Sequence, residues 1–145
     1  MIRRTFLIFA LSITCPRLPA TGKVEGTFVV IVHLSNRFDA LSRSKVGFLF
    51  QRHVSRWPWG AEVAPVELSK PNKARGEFIA QVLRTTEEQL EAYWIDQRTT
   101  RGVSPPVQVP DAASVKAMVA ANPGAIGFIP AEALDSTVKA LRIDP

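Results

Sequence analysis

The side chains best suited to chemistry form a group of cations between residues 69 and 76. Lys70, Lys73 and Arg75 lie within six positions of one another, with Asn72 among them. Apolar residues at helical spacing begin directly afterwards, so the group is predicted to surround a helix start. Unpaired backbone N–H groups and the helix dipole favour an anion there. We therefore expect an oxyanion site, in which Arg75 makes a two-pronged contact to phosphate or carboxylate.

The residues expected at this site follow from a general rule for open α/β sheets, whose ligands bind beyond the carboxyl ends of the strands. Asn72 is expected to cap the helix or to donate an amide hydrogen bond. Two polar residues that end the first apolar strand are included as well. The candidate ligand-binding residues are Ser69, Lys70, Asn72, Lys73, Ala74, Arg75, Gly76, Ser35 and Asn36. The alternative is a solvated basic helix start that binds no ligand.

A second small basic loop lies further along the chain. It contains Arg98, Arg101, Gly102 and Ser104. If this loop faces residues 70–76, the two loops share an anion or a partner. Otherwise the second loop is an exposed connection.

Metal binding and catalysis find little support in the sequence. His33 and His53 lack the spacing of a metal pair, and no cysteine accompanies them. The Gly-x-Ser-x-Gly pattern of serine hydrolases is absent. Gly124 and Gly127 do not make a dinucleotide fingerprint, which needs three spaced glycines. We therefore predict a protein that is not an enzyme and uses neither metal nor cofactor.

The first 20 residues have the anatomy of an export signal. Residues 1–4 carry positive charge, residues 5–14 form an apolar core, and Ala20 is a plausible last residue before cleavage. The predicted organisation is a signal peptide at 1–20 and one domain at 21–145, located in the bacterial periplasm or otherwise secreted. The alternative is that the apolar run is a first buried strand or helix.

Cleavage at Ala20 changes the charge of the chain. It removes three arginines and lowers Lys plus Arg from 18 to 15 against 13 acidic residues, so the net charge falls from +5 to +2. Nucleic-acid binding then loses its main support. The mature chain would have no cysteine and no apolar run of the roughly 20 residues that a membrane span needs.

Strand and helix patterns alternate along the chain after residue 26. A continuous β-branched run at 27–34 predicts a strand buried on both faces, as in a parallel sheet covered by helices. Further strands are predicted at 63–68, 107–109, 126–129 and 138–143, and 99–106 is predicted to be loop. Helices are expected between them, capped by Ser42, Asn72, Thr86 and Asp111. The fold class is α/β, a three-layer sandwich whose sheet is mainly parallel or mixed.

The segment Ala120–Pro130 reads as a complete helix-to-strand joint. Asn122, Pro123 and Gly124 stop the helix, and a buried strand follows. Its Pro-Gly-Ala-Ile-Gly-Phe sequence resembles a motif of the phosphate-binding proteins of bacterial ABC transporters, which have tyrosine where Phe128 stands. The resemblance extends back to about residue 27 and covers one of the two lobes of those proteins.

The resemblance implies an exported solute-binding protein with the fold of one lobe of a type 2 periplasmic binding protein. Its partners would be phosphate or a similar oxyanion, bound weakly, and an ABC permease or envelope protein. The family's Ser-Gly-Thr segment would fall on residues 72–74, where this chain has Asn-Lys-Ala. The alternative is a ligand-free protein-interaction module presenting Trp57 and Trp59, whose indoles we expect to cover the edge of the core.

Overall fold

The computed structural model describes residues 27–145. Its strands are β1 (Phe28–Val32), β2 (Ala40–Ser42), β3 (Ala64–Leu68), β4 (Val107–Val109), β5 (Ala125–Pro130) and β6 (Lys139–Asp144). Its α-helices are α1 (Arg43–Phe50), α2 (Lys73–Phe78), α3 (Glu87–Arg101) and α4 (Ala112–Ala121). A π-helical turn, Ile79–Leu83, continues α2, and a 3₁₀ turn, Ala131–Ala133, follows β5. The α/β class predicted from the sequence is confirmed.

The six strands form one mixed sheet in the order β2-β6-β1-β5-β3-β4. The β2–β6, β3–β4 and β3–β5 pairs are parallel, whereas β1 is antiparallel to both β5 and β6. Within the described chain, β1 is thus the strand that opposes the other five. The carboxyl ends of those five strands lie at one edge of the sheet, called here the carboxyl edge. The opposite edge, where they begin, is the amino edge.

Helices cover both faces of the sheet. In β5, Phe128 stacks on Phe78 of α2 at a centroid distance of 4.2 Å and approaches Phe50 of α1 at 6.0 Å. Neighbouring strand residues point to opposite faces, so Gly127 lies on the other side. There, a Cβ added to Gly127 would come within 2.7 Å of Val115 in α4. The missing side chain therefore lets α4 pack closely against β5.

The predicted joint between α4 and β5 is confirmed. Helix α4 ends at Ala121, and the Asn122 Oδ1 atom accepts a hydrogen bond from the Gly124 backbone N–H at 2.9 Å. A Cβ at Gly124 would collide with the Glu62 carbonyl oxygen. The glycine is required because the chain before β3 passes directly over the turn.

The four predicted caps are confirmed, since each of their side chains accepts a hydrogen bond from the first turn of its helix.

Two expectations from the sequence are wrong. Residues 99–101 belong to α3, which continues until Gly102 ends it with a φ of 66°. The buried strand β1 lies among antiparallel neighbours, because two-sided burial does not fix strand direction. The predicted export signal at 1–20 lies outside the described residues.

Candidate functional site

The predicted cationic segment lies at the carboxyl edge, as a corner between β3 and α2. Strand β3 ends at Leu68 and α2 begins at Lys73, so residues 69–76, called here the corner, connect strand to helix as expected. Asn72 is the N-cap, and its Oδ1 atom accepts a hydrogen bond from the Ala74 N–H at 2.9 Å. This bond holds the asparagine oxygen against the helix, so the residue's structural role is clear.

The corner residues differ in their exposure to solvent. Lys70, Lys73 and Gly76 are exposed, and Ser69 and Asn72 are half-buried. Ala74 is buried. The two lysine side chains and the start of α2 are therefore open to a small anion arriving from solvent.

Arg75 does not face solvent, contrary to the two-pronged anion contact that we predicted. Its Nε and Nη2 atoms donate to the two carboxylate oxygens of Glu87 at 2.6 and 3.1 Å. Its Nη1 atom donates to Glu67 at 2.9 Å and to the Leu68 carbonyl oxygen at 3.0 Å. The guanidinium thus joins β3, α2 and α3, and its two-pronged contact is made to a carboxylate of the protein.

The ion-pair network lowers the positive charge of the corner. Glu67 and Arg75 are 2% and 4% exposed, so their charges are screened little by water. Burial raises the pKa of the Glu67 carboxyl, although the neighbouring Arg75 opposes this effect. The Lys70 Nζ atom also lies 3.8 Å from Glu87 Oε2. Of the corner cations, Lys73 has no carboxylate partner within the described chain.

The two carboxylates were not predicted to be Arg75 partners. Glu87 lies with Glu88 in the first turn of α3, where acidic residues are common because they complement the helix dipole. The useful signal was Glu67 itself, the charged residue within a strand that is buried at four of five positions. A carboxylate in such a place requires a cation nearby.

Ser35 and Asn36 are not brought to the corner. They follow β1, whose reversed direction places its carboxyl end at the amino edge, where Val32 pairs with Ile126 and Lys139. The Asn36 carbonyl oxygen accepts a hydrogen bond from Lys139 Nζ at 3.0 Å. The rule about carboxyl ends fails for these two residues because it holds only for strands that run in the common direction.

The second basic loop is also at the amino edge. Val107 of β4 pairs with Val66 of β3, so residues 102–106 lie beside the start of β3 rather than beside its end. This loop does not face the corner, and a shared anion is excluded by their separation along the sheet. The interpretation of a shared site is therefore wrong, and the loop connects α3 to β4 at the amino edge.

The tryptophan turn covers the core, as expected. Trp57 is buried, and its Nε1–H donates to the Gly124 carbonyl oxygen at 2.9 Å. The half-buried Trp59 stacks on it with the ring planes 6° apart. The pair thus fastens the α1–β3 connection to the α4–β5 joint.

No protein-family model matches the chain, and no curated protein sequence matches it. Solved structures do share its architecture. It is similar to an ABC-type phosphate transport receptor from Vibrio cholerae, with a TM-score of 0.64 and 19% identity over 81% of this chain and 46% of that one. A putative phosphate ABC transporter substrate-binding protein with bound phosphate from Clostridium perfringens gives 0.66 and 18%, over 81% and 45%. PstS from Borrelia burgdorferi gives 0.62 and 10%, over 81% and 47%.

The chain has the fold of one lobe of these phosphate receptors. It spans less than half the length of each of the three structures. At these identities the likeness is one of fold, and function has to be argued from the site. Among residues 27–145, no helix is both long and apolar enough to cross a membrane, and no group of three metal-binding side chains comes together.

Proposed function

We propose that this chain is an exported lobe of the phosphate-receptor fold that binds phosphate or a similar oxyanion weakly at the corner. It would act as a non-enzymatic solute-binding component that works with an ABC permease or another envelope protein. The proposed ligand groups are the backbone and side chains of Ser69, Lys70, Asn72, Lys73 and Gly76. Ala74 would contribute only its place in the helix start.

The observation that carries the proposal is an open, capped helix start at the carboxyl edge of this fold. Asn72 uses its side-chain oxygen on the Ala74 N–H, and the Gly76 N–H bonds the Asn72 carbonyl oxygen at 3.2 Å. The N–H groups of Lys73 and Arg75 make no hydrogen bond to other described residues. Neither group is paired in the described chain, and the exposed Lys73 side chain adds a positive charge that favours an oxyanion at this helix start.

The role of Arg75 in this proposal is to position the corner. Its bonds to Glu67, Glu87 and the Leu68 carbonyl oxygen fix the angle between β3 and α2. A carboxylate that occupies a guanidinium leaves few donors for a ligand, since the group has five N–H bonds in all. The anion would therefore be held by backbone amides and lysines.

Affinity is expected to be low because the corner is open on one side. Water competes for every donor at an exposed site, so each hydrogen bond contributes only about 0.5–1.5 kcal/mol. The phosphate-binding family that the sequence resembles has two lobes, and β1 begins and β6 ends at the same edge as the corner. A second lobe that joined the sheet through these strands would face the corner and could close over the anion.

The proposal is tested by titrating the full chain with phosphate and with sulfate while its melting temperature and tryptophan fluorescence are followed. Binding to the folded state alone raises stability by about 2.7 kcal/mol when the ligand reaches 100 times its Kd. We expect a saturable rise with a millimolar Kd. Lys73→Ala should weaken it at least threefold, and Lys70→Ala less, because Lys70 already lies near Glu87.

Lys45→Ala is the matched control. Lys45 is an exposed lysine of α1, which follows β2, four positions from β3 in the sheet order. At about 4.8 Å per strand, β2 and β3 are about 19 Å apart. An equal loss of anion affinity in Lys45→Ala and Lys73→Ala would show a general charge effect and contradict anion binding at the corner. No response to either anion would contradict the binding proposal.

A further inference from the structure

A cavity of about 380 Å³ opens at the amino edge, at the end of the sheet opposite the corner. Its walls are the connection after α1, the start of β3 and the loop after α3. The volume lies near the lower end of the roughly 300–1,000 Å³ that small-molecule sites occupy. Size alone therefore suits a compact ligand.

Two helix ends border the cavity, and an arginine near each of them lines its wall. Beyond α1, Arg52 adopts a left-handed φ of 59°, and its N–H bonds the Leu49 carbonyl oxygen. Helix α3 ends with Arg101, and Gly102 has a φ of 66°. The Val63 N–H donates to the Ser55 carbonyl oxygen at 2.9 Å and fastens the α1 connection to the start of β3.

The charged side chains on the cavity wall form no salt bridges within residues 27–145. In residues 27–145, Arg52 and Arg101 have no carboxylate within salt-bridge distance. Glu62, which lines the same cavity, has no cation within that distance. Arg101 Nη1 donates one hydrogen bond to Gln97 Oε1 at 2.8 Å. Both guanidinium groups thus keep donors for a carboxylate, and Glu62 keeps its acceptors.

The backbone around the cavity disfavours a simple anion. Helices α1 and α3 both end here, and the negative ends of their dipoles attract positive charge. An ammonium group would be favoured by these ends and by Glu62, whereas a carboxylate would be favoured by Arg52 and Arg101. A ligand that carries both charges matches the wall better than a ligand with either one.

Apolar side chains form part of the remaining wall, beside Ser55 and Ser104. Leu49, Val63 and Val103 line the cavity together with Val54 and Pro65. Burying an aliphatic group against such residues contributes about 25 cal/mol per Å² of apolar surface removed from water. An aliphatic side chain on the carbon atom that carries both charged groups would use this surface.

We propose that this cavity is a binding site for a free aliphatic α-amino acid, with its carboxylate on Arg52 and Arg101 and its ammonium near Glu62. The apolar walls take the side chain. The site is separate from the corner, since β3 runs between them from Ala64 to Leu68. The inference does not depend on oxyanion binding at the corner.

The test is a chemical-shift titration of the ¹⁵N-labelled full chain with L-leucine, 4-methylpentanoate and isoamylamine. The second compound lacks the ammonium, and the third lacks the carboxylate. We expect saturable shifts with leucine, centred on residues 52–55, 62–65 and 101–104, and at least tenfold weaker binding of both fragments. Absence of shifts up to about 20 mM leucine, well above a millimolar Kd, would overturn the proposal.

Matched variants locate the charges. Arg101→Gln should weaken leucine binding at least tenfold, whereas Arg98→Gln, an exposed arginine one turn earlier in α3 that does not line the cavity, should leave it unchanged. Glu62→Gln should weaken the binding of leucine but not that of 4-methylpentanoate, which has no ammonium group. If leucine and 4-methylpentanoate bound equally well, the site would not recognise the ammonium group, and the proposal of an amino acid ligand would be overturned.

A competition experiment with phosphate tests whether the cavity and the corner are separate binding sites. If leucine binds as proposed, saturating phosphate should not displace it, and Lys73→Ala should not change its affinity. Displacement of leucine by phosphate would contradict a separate site. Failure of phosphate to bind anywhere would count against the corner and leave the leucine result standing.

Discussion

At the carboxyl edge Arg75 is held between two carboxylates, whereas at the amino edge Arg52 and Arg101 face a cavity with no carboxylate partner in the described chain. Arg75 is 4% exposed, and Arg101 is an exposed residue. The difference shows that an arginine near a helix end is not a ligand-binding group by residue type alone. Its neighbours on other elements decide whether the guanidinium is available.

The largest expected effect is the loss of the buried arginine. Arg75→Gln should lower the free energy of unfolding by about 3–5 kcal/mol, because it leaves the buried Glu67 carboxylate without a cation. Arg101→Gln should cost less than about 1 kcal/mol, since an exposed cation at a helix end contributes little. Urea unfolding of both variants measures the difference. Similar losses in the two would contradict the contrast between the edges.

A smaller effect is expected at the cap of the corner. Asn72→Ala removes the acceptor of the Ala74 N–H and should cost about 1 kcal/mol in urea unfolding. Asn72→Asp keeps a capping oxygen and should retain most of this stability, while its negative charge weakens phosphate binding. If Asn72→Asp binds phosphate as well as the unchanged chain, the anion does not bind at this helix start.

The smallest expected effect concerns an exposed ion pair, which contrasts with the buried one. Hydrogen bonds from Lys116 and Thr137 hold the pKa of Asp135 at about 2, well below its ordinary value. A lowered pKa means that the stabilisation is complete above the unfolded value of about 3.9 and is lost as the pH falls towards 2. The stability difference between the unchanged chain and Asp135→Asn should therefore shrink between pH 5 and pH 2. A constant difference in urea unfolding across that range would contradict the assignment.

Local sequence patterns predicted the caps and the joint correctly for a common physical reason. A side-chain oxygen of Ser42 or Asp111 reaches a backbone N–H only three positions away, so the contact is determined by short-range geometry. Gly124 likewise follows Asn122 and Pro123 in a helix-ending turn. The end of α3 was predicted too early, because Thr99 and Thr100 are compatible with helix when their hydroxyls bond carbonyl oxygens one turn back.

Residues of the candidate site were predicted less completely, since their neighbours come from distant parts of the chain. Arg75 meets Glu87, twelve positions later, only because α3 packs beside the start of α2. Ser35 and Asn36 were misplaced because β1 runs against the other strands, which no pattern within β1 reveals. The cavity with Arg52 and Arg101 requires two helix ends to meet beside β3.

The sequence by itself determined the α/β class, most of the strands and helices, the capped helix start at Asn72 and the glycine joint at Gly124. Each of these depends on interactions among residues that are close along the chain. Only the tertiary structure decided the direction of β1, the carboxylate partners of Arg75 and the grouping of Arg52, Arg101 and Glu62. Long-range packing sets those relations, because the direction of a strand and the environment of a charge depend on which distant elements lie beside them.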